Sequence, residues 1–354
     1  MDAPDLKRLL SHDRSDMTGK VRGFPAHLMQ GWEIGGLEKI DWSAQAFRHI
    51  VYGGMGGSAI AGDLVRTLFA ERLEVPFVVK RGYDLPPFSG PDTLFIASSY
   101  SGNTEETLSC VEQAVKKGCR MVCLASGGKL MQIARHHQFP LFVLPKGFPP
   151  RAALGFSLGV LLRMFVRMGI GTFGEPEVKE AVRRLEQLGD AWSRPAKSDD
   201  GPFGVAQGLT GKIPLIYADA HVLEPVGIRW KTQLNENSKT HAFFTPMPEM
   251  NHNEINGWEP VAGTKTFYKS LMAVLLRTPE EHPRVALRMD ITQRLILKNE
   301  GSCIPVHAEG KDFLNRLLYL VAFGDWVSLY LALLYGTDPT EIVNIDHLKK
   351  KLSE

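Results

Sequence analysis

Cysteine is scarce in this sequence, and its spacing offers no pairing motif. The 354 residues include four cysteines, none of which forms a Cys-x-x-Cys pair: Cys110, Cys119, Cys123 and Cys303. This is too few for a disulfide-stapled secreted scaffold and is typical of reduced intracellular thiols. The segment from Met1 to Met17 holds no apolar signal core, so the sequence predicts a cytoplasmic protein.

An excess of positive charge is missing as well. Lysine and arginine number 41 against 39 aspartates and glutamates, a formal net charge of +2. Nucleic-acid binding needs a concentrated basic face, whereas the run Lys349-Lys350-Lys351 fits a solvated last helical turn. We expect no nucleic-acid partner. A small anionic substrate stays compatible, because local charge in a cleft matters more than the total.

Spacings typical of metal ligands are lacking in the second half of the chain. It contains neither His-x-His nor His-Glu-x-x-His. The nearest approach to a ligand pair is His252-x-Glu254, which has no further partner of the usual type nearby. The sequence therefore predicts no metal and no other cofactor.

A single long apolar run, from Leu317 to Gly336, is long enough to span a membrane. It contains Asp325 and Ser328, and no other segment resembles it. A core helix of a large α/β domain explains it better. We therefore expect no membrane partner.

Short strand-like runs alternate with helical ones along most of the chain. Residues 1–40 are interpreted as a helical lead-in, 41–170 as a first domain, 171–200 as a connecting segment and 201–354 as a second domain. A strand is expected over residues 241–244 of the second domain. Strands separated by helices imply parallel sheets covered on both faces. The predicted fold class is α/β, with each domain a three-layer α/β/α sandwich.

Two loops suited to an anion follow neighbouring strands of the first domain. The first, Gly53-Gly54-Met55-Gly56-Gly57-Ser58, leads from a strand into a helix, so its amides can approach negative charge. The second, Ser98-Ser99-Tyr100-Ser101-Gly102-Asn103-Thr104, is rich in hydroxyls. Because loops at neighbouring strand ends share one crevice in an open parallel sheet, the pair predicts a phosphomonoester site. Alternatively, these residues only cap helices.

The first loop also matches a dinucleotide fingerprint, as Gly54-x-Gly56-x-x-Ala59. A nicotinamide-dependent oxidoreductase is therefore one alternative. The second strand, however, ends in Lys80-Arg81-Gly82, with no acidic residue to hold a ribose. This favours the phosphate interpretation.

Four further segments narrow the family. They are Pro149 to Phe156, Lys231 to Lys239 with its Asn-Glu-Asn-Ser-Lys ending, Asn251-His252-Asn253-Glu254-Ile255, and Ile345-Asp346-His347-Leu348-Lys349. With the two loops, the chain resembles the sugar isomerase (SIS) domain family and, within it, the bifunctional phosphoglucose/phosphomannose isomerases. The resemblance runs from about residue 40 to the C-terminus. It implies two SIS-type domains and an isomerase of glucose 6-phosphate, and of mannose 6-phosphate, with fructose 6-phosphate.

The resemblance also implies a role for each matching residue. The phosphate is held by Gly56, Gly57, Ser58, Ser99, Ser101 and Thr104. Glu236 is the base, Arg151 lies beside the reacting carbons, and His252 opens the sugar ring from the other subunit of a homodimer. Lys349 matches the C-terminal lysine, with Lys350 and Lys351 adjacent.

These residue types suit the chemistry of aldose–ketose isomerisation. One carboxylate can move a proton between C1 and C2 through an enediol. Ring opening needs a group that changes protonation near neutral pH, which histidine does; His221, His241 and His307 remain alternatives to His252. A fixed arginine stabilises the enediolate more than the substrate.

Two competing functions stay open. Many SIS domains bind a sugar phosphate without catalysis, as regulators, although no basic N-terminal DNA-binding module is present here. An isomerase limited to glucose 6-phosphate, or one acting on another sugar phosphate, would use the same loops.

Overall fold

The computed structural model describes residues 3–37, 40, 42–43, 46–171, 173–194, 201–261, 263 and 265–352. The chain divides into two compact units: an N-terminal unit, Gly23–Glu186, and a C-terminal unit made of Met1–Arg22 with Gln187–Glu354. The breaks fall within the segments that the sequence assigns to the lead-in and the connection. Residues 195–200 of that connecting segment lie outside the described residues.

Helices and strands alternate through most of the described chain. The helices are α1 (Ala3–Leu10), α2 (Met17–Arg22), α3 (Phe24–Glu33), α4 (Gly56–Leu68), α5 (Glu105–Lys116), α6 (Gly128–His136), α7 (Leu154–Arg167), α8 (Glu175–Trp192), α9 (Pro202–Leu209), α10 (Glu224–Ser238), α11 (Lys265–Tyr268), α12 (Pro283–Lys298), α13 (Phe313–Leu334) and α14 (Val343–Leu352). The strands are β1 (His49–Gly53), β2 (Phe77–Lys80), β3 (Thr93–Ser98), β4 (Arg120–Ala125), β5 (Leu141–Val143), β6 (Ile213–Asp219), β7 (Phe243–Met247), β8 (Leu271–Arg277) and β9 (Cys303–His307).

The sheet of the N-terminal unit has the order β2-β1-β3-β4-β5, and every pairing is parallel. Its central strand β3 is buried along its whole length, from Thr93 to Ser98, as expected of a sheet covered on both faces. The direction of strand addition reverses between β1 and β3. The crevice at the carboxyl ends of these two strands is therefore the switch point where ligands bind in such sheets.

Helix α3 packs closely against α7 because both carry glycine at the crossing. A Cβ added to Gly159 would lie 2.1 Å from the Leu28 carbonyl oxygen, and one on Gly31 would lie 2.2 Å from the Phe156 carbonyl oxygen. Only a residue without a side chain lets the backbones approach to this degree. This contact incorporates residues 24–33, part of the sequence-based lead-in, into the N-terminal unit.

The C-terminal unit holds a second parallel sheet, with the order β7-β6-β8-β9. The strand expected over residues 241–244 is displaced: β7 runs from Phe243 to Met247, past Pro246. Since β7 is an edge strand, the missing amide hydrogen of proline is tolerated there. The two parallel sheets flanked by helices confirm the predicted α/β class.

Helix α13 is the apolar run that is long enough for a membrane. Among the described residues it is the one helix whose length and composition meet that test, and 94% of its most apolar window is buried inside the structure. The expectation of a core helix is confirmed by this burial.

A buried polar network joins α10 to α13. The Arg229 guanidinium donates to Asp325 Oδ2 at 2.6 Å, and the Gln233 amide donates to Asp325 Oδ1 at 2.8 Å. Burial raises the pKa of Asp325 above its ordinary range, although Arg229 and Gln233 oppose that shift. Further along the helices, Asn237 Nδ2 donates to Ser328 Oγ at 2.9 Å. The network fixes the rotation of α10 about its axis.

We predict that Arg229→Met lowers the free energy of unfolding by about 3–5 kcal/mol, because Asp325 is then buried without its cation. The double variant Arg229→Met/Asp325→Leu should recover most of this loss, since it removes both charges. Denaturant unfolding of the three proteins measures both quantities. Equal losses in the single and double variants would instead assign the cost to packing.

Candidate active site

The two loops named in the sequence meet at the carboxyl ends of β1 and β3. The backbone amide of Tyr100 donates to Ser58 Oγ at 3.2 Å. Beside this bond, a Cβ added to Gly54 would lie 3.1 Å from the Ser98 carbonyl oxygen. The Tyr52 hydroxyl donates to the Ser58 carbonyl at 2.8 Å. The convergence that the sequence predicts is therefore confirmed.

The glycine loop presents free amides to the crevice. Met55 is the extended N-cap of α4 and makes no side-chain capping bond. The first amides of the helix, at Gly56 and Gly57, have no intrahelical partner. Gly56 has a φ of +49°, a backbone conformation that other residues rarely adopt. Amides at the positive end of a helix dipole favour an anion, so this loop is a candidate anion site.

In the second loop, Ser99 holds the backbone in place, while Thr104 keeps a hydroxyl proton for a ligand. Ser99 is buried, and its Oγ accepts the Gly102 amide at 3.1 Å and the Thr104 amide at 3.4 Å. Its hydroxyl lies 2.8 Å from Thr104 Oγ1. Because both Ser99 lone pairs are occupied, its proton goes to Thr104. Thr104, at the N-cap of α5, makes no capping bond, so its own proton is free for an anion.

Ser101 lies at the exposed tip of the same loop. Its Oγ accepts the Asn103 amide at 3.2 Å, which leaves the hydroxyl proton available. The loop backbone is held from behind, where the Leu130 amide donates to the Gly102 carbonyl at 2.9 Å and the Lys129 amide donates to Asn103 Oδ1 at 3.0 Å. The loop therefore has a fixed shape before any ligand binds.

Arg151 lies directly against the glycine loop. It belongs to a short 3-10 helix, Pro150–Ala152, and is buried. A Cβ added to Gly57 would lie 2.9 Å from the Pro150 carbonyl oxygen and 3.0 Å from Arg151 Cα. Glycine at position 57 is thus what allows this close approach. The structure therefore places the Arg151 backbone in contact with the first loop, and the role of Arg151 beside the reacting carbons stays a prediction.

The end of β2 does not suit a dinucleotide. In a dinucleotide fold, an acidic residue after this strand holds the ribose. Here Arg81 takes that place, and its guanidinium pairs with Asp63 on α4, which is buried. A basic residue already engaged by its own carboxylate favours the phosphate interpretation.

Glu236 lies in the last turn of α10 and is half-buried. The Asn235 side chain accepts the Ala242 amide at 3.1 Å, directly before β7 begins. Lys239 follows with a φ of +55°, and its Nζ donates to the carbonyls of Glu236 and Asn237 at 3.1 and 3.0 Å. The polar residues around Glu236 therefore anchor the end of the helix that carries it.

His252 is exposed at the end of a 3-10 helix, Glu249–His252, that follows β7. The preceding Asn251 donates to Thr292 Oγ1 on α12 at 3.0 Å. Glu254, in the same motif, accepts the Tyr217 hydroxyl at 2.7 Å. These bonds hold the backbone of the motif while the imidazole of His252 faces outward.

Glu236 and His252 lie near opposite ends of strand β7 in the C-terminal sheet. The end of α10 touches the amino end of β7 through Asn235, whereas His252 follows the carboxyl end of β7. The five residues of β7 span about 13 Å, at about 3.3 Å per residue. Within one chain, the structure does not bring these two side chains together.

His241 lies near Glu236, beside the end of α10 and the amino end of β7. It lines a cavity of about 410 Å³ beside the end of α10, together with Ser238, Lys239 and Tyr335. The remaining candidates for ring opening, His221 and His307, are exposed residues.

Lys349 lies on α14, which has no buried residue. Four large apolar side chains of this helix, Val343, Ile345, Leu348 and Leu352, are also exposed. Lys350 and Lys351 share its last turn, so the helix alone does not single out one lysine.

Comparisons with known proteins bear on both units. The SIS domain family matches residues 45–141, and the bacterial phospho-glucose isomerase C-terminal SIS domain matches residues 203–352. A bifunctional phosphoglucose/phosphomannose isomerase of Caldicellulosiruptor bescii is 38% identical over 342 residues, which cover 96% of this chain and 99% of the relative. The chain belongs to this isomerase family.

Other relatives agree with that assignment. A bifunctional phosphoglucose/phosphomannose isomerase of Aquifex aeolicus is 38% identical over 313 residues, covering 87% of this chain and 91% of the relative. The crystal structure of a hypothetical protein of Thermus thermophilus matches with a TM-score of 0.77 and 15% identity, over 99% of this chain and 93% of that one; it supports the fold alone. The chain is a sugar-phosphate isomerase built from SIS-type domains.

We predict that Thr104→Val weakens the binding of inorganic phosphate and of sugar phosphate together, by about 1–3 kcal/mol each, because a donor to a charged oxygen is lost. Thr107→Val is the matched control. Thr107 lies one turn along α5, and its buried hydroxyl has no hydrogen-bond partner. Calorimetric titration with both ligands tests the pair of variants. Equal affinities in the Thr104 and Thr107 variants would mean that the Thr104 hydroxyl does not contact the phosphate.

Proposed function

We propose that this protein interconverts glucose 6-phosphate and mannose 6-phosphate with fructose 6-phosphate through a cis-enediol, without a metal ion. The observation that carries the proposal is the packing of the Arg151 turn against the first of two hydrogen-bonded anion loops. The contact of the Arg151 backbone with the glycine loop supports a role for this permanent cation at the candidate phosphate site.

The phosphate of the substrate binds at the switch point of the N-terminal sheet. Amides of Gly56 and Gly57, at the start of α4, face its oxygens, with hydroxyl protons from Ser58, Ser101 and Thr104. The Ser58 oxygen already accepts the Tyr100 amide, so its proton is the part left to donate. Ser99 orients the Thr104 hydroxyl through the hydrogen bond between their side chains. We propose that the first domain, 41–170, binds the phosphate and that the second, 201–354, carries the base.

Glu236 takes the proton from C2 of the aldose and returns it to C1. A single carboxylate suffices, because both carbons of the cis-enediol present their protons on one face. Glucose and mannose 6-phosphates differ only at C2 and yield the same enediol. Rotation about the C2–C3 bond then exposes either face of C2 to Glu236, so both sugars are substrates.

Arg151 stabilises the charge that develops on the enediolate oxygens. Its guanidinium keeps its charge at any working pH, and its backbone is fixed by Pro149 and Pro150. A preorganised cation lowers the barrier because it needs no reorganisation when the charge appears. A metal ion is not needed for this step.

His252 opens the sugar ring, and it comes from the second subunit of a homodimer. This part of the proposal is supported by the separation of Glu236 and His252, which lie near opposite ends of strand β7. A two-fold assembly builds both sites alike from the two chains. Lys349, from the C-terminal helix, completes the catalytic set. We further propose that the protein is cytoplasmic, with no cofactor and no nucleic-acid or membrane partner.

We predict that fructose 6-phosphate incubated with the protein yields both glucose 6-phosphate and mannose 6-phosphate. Prior treatment with a chelator should leave the rate unchanged. Chromatographic identification of every aldose product checks the specificity. A single aldose would refute dual specificity, and a chelator-sensitive rate would refute the metal-free mechanism. Binding without turnover would favour the regulator.

We predict that two inactive variants, Glu236→Gln and His252→Ala, regain activity when refolded together. In a mixed dimer, one site receives both lesions and the other receives neither. Random pairing makes half of the dimers mixed, so about a quarter of full activity should return.

The control for this experiment is His241→Ala. This variant should keep its activity, because His241 lies near Glu236 at the end of α10 but does not serve as the acid. Mass measurement confirms that mixed dimers form. Mixed dimers without any activity would rule out the shared site and would leave the isomerase assignment standing.

A further inference from the structure

The hydroxyl of Tyr100 bridges the two ends of a turn that the sequence analysis did not connect with the site. It donates to the Pro145 carbonyl oxygen at 2.8 Å and accepts the amide of Phe148 at 3.0 Å. Tyr100 itself belongs to the second anion loop, between Ser99 and Ser101. One side chain therefore links that loop to the segment that leads to Arg151.

The bridged segment is a four-residue turn from Pro145 to Phe148. Gly147, its third residue, has a φ of +94°, the conformation that a type II turn requires at this position. In such a turn the first carbonyl commonly accepts the amide of the fourth residue. Here the Tyr100 hydroxyl occupies the space between those two groups and satisfies both. The hydroxyl therefore sets the width of the turn.

Only two residues separate this turn from Arg151, and both are prolines. Pro149 and Pro150 have fixed φ angles, so the short connection is stiff. The Phe148 ring packs edge-on against His27 at 4.8 Å and against Phe156 at 5.1 Å. Burial lowers the pKa of His27 to about 4, which keeps this cluster uncharged. A change in the width of the turn would therefore reach Arg151 through a short, stiff connection.

The backbone of Tyr100 is anchored independently of its hydroxyl. Its amide donates to Ser58 Oγ, and its carbonyl accepts the amide and the hydroxyl of Ser126 at 2.9 and 2.6 Å. Loss of the hydroxyl alone should leave the anion loops in place. Burial raises the pKa of Tyr100, so the hydroxyl stays protonated and keeps donating to Pro145 at working pH.

We propose that Tyr100 is a positioning residue for the isomerisation: its hydroxyl holds the Pro145–Phe148 turn open and so sets where Arg151 stands relative to the bound phosphate. The inference rests on the role of Arg151 in the proposed function. The loops then bind the phosphate end of the sugar phosphate. The distance between the loops and Arg151 places the guanidinium beside the reacting carbons.

The test is Tyr100→Phe in the full-length protein. Turnover should fall about ten- to hundredfold, because a small displacement of a charge-stabilising group is costly. Affinity for inorganic phosphate should stay within about twofold, since the loops keep their anchors. Affinity for 5-phosphoarabinonate, whose carboxylate imitates the enediolate, should fall in parallel with turnover. A purely structural role would not separate these two ligands.

Tyr330→Phe is the matched control, because it removes a buried tyrosine hydroxyl that donates to the Trp192 carbonyl in the C-terminal unit. It should alter neither affinity. Equal weakening of both ligands in Tyr100→Phe would overturn the inference, as would unchanged turnover.

Arg151→Ala separates the two levels of the argument. If this variant retains full turnover, the proposed role of Arg151 is wrong. If it loses turnover while Tyr100→Phe does not, only the positioning role fails. The double variant should be no slower than Arg151→Ala alone, because Tyr100 acts through the arginine.

Discussion

The hydrogen bond from the Tyr100 amide to the Ser58 hydroxyl joins the loops after β1 and β3. Strands β1 and β3 are neighbours with their carboxyl ends at one edge, so the bond closes the switch point of the sheet. The glycine loop can then rest against the Pro150–Arg151 backbone, and the hydroxyl loop can rest against the start of α6. The candidate anion site therefore has a fixed shape before any ligand binds, because its parts support one another.

The sequence predicts the elements whose signals are local. Glycines and hydroxyls at strand ends identify both loops, and the period of apolar residues identifies the α/β class. Contacts between distant segments leave no such signal. No sequence pattern indicates that Gly57 allows the close approach of the Pro150 backbone, or that the Tyr100 hydroxyl bridges a turn at residues 145–148. The observed β7 extends beyond the predicted strand for a similar reason. It continues through Pro246, which is tolerated only because β7 is an edge strand, and a sheet edge is not visible in the sequence. The assignments of Glu236, His252 and Lys349 come from the family resemblance and stay predictions.

The C-terminal unit uses a different kind of rigidity. Its helix α10 is fixed against the buried helix α13 by the Arg229–Asp325 pair and by the Asn237–Ser328 bond, and Lys239 closes its last turn. A buried ion pair adds little net stability, but it fails sharply when one partner is lost. Such a pair favours one rotation of the helix over others, and that rotation determines where Glu236 lies.

The two compact units differ in whether their residues are continuous in the sequence. The N-terminal unit is one continuous stretch, Gly23–Glu186, whereas the C-terminal unit combines residues 1–22 with everything after 186. During synthesis, the continuous unit leaves the ribosome complete and can fold at once. The first 22 residues, including α2, which packs on α13, have to wait until almost the whole chain is made. The candidate anion site can therefore form early, while the helix that carries Glu236 gains its buried partner only at the end of translation.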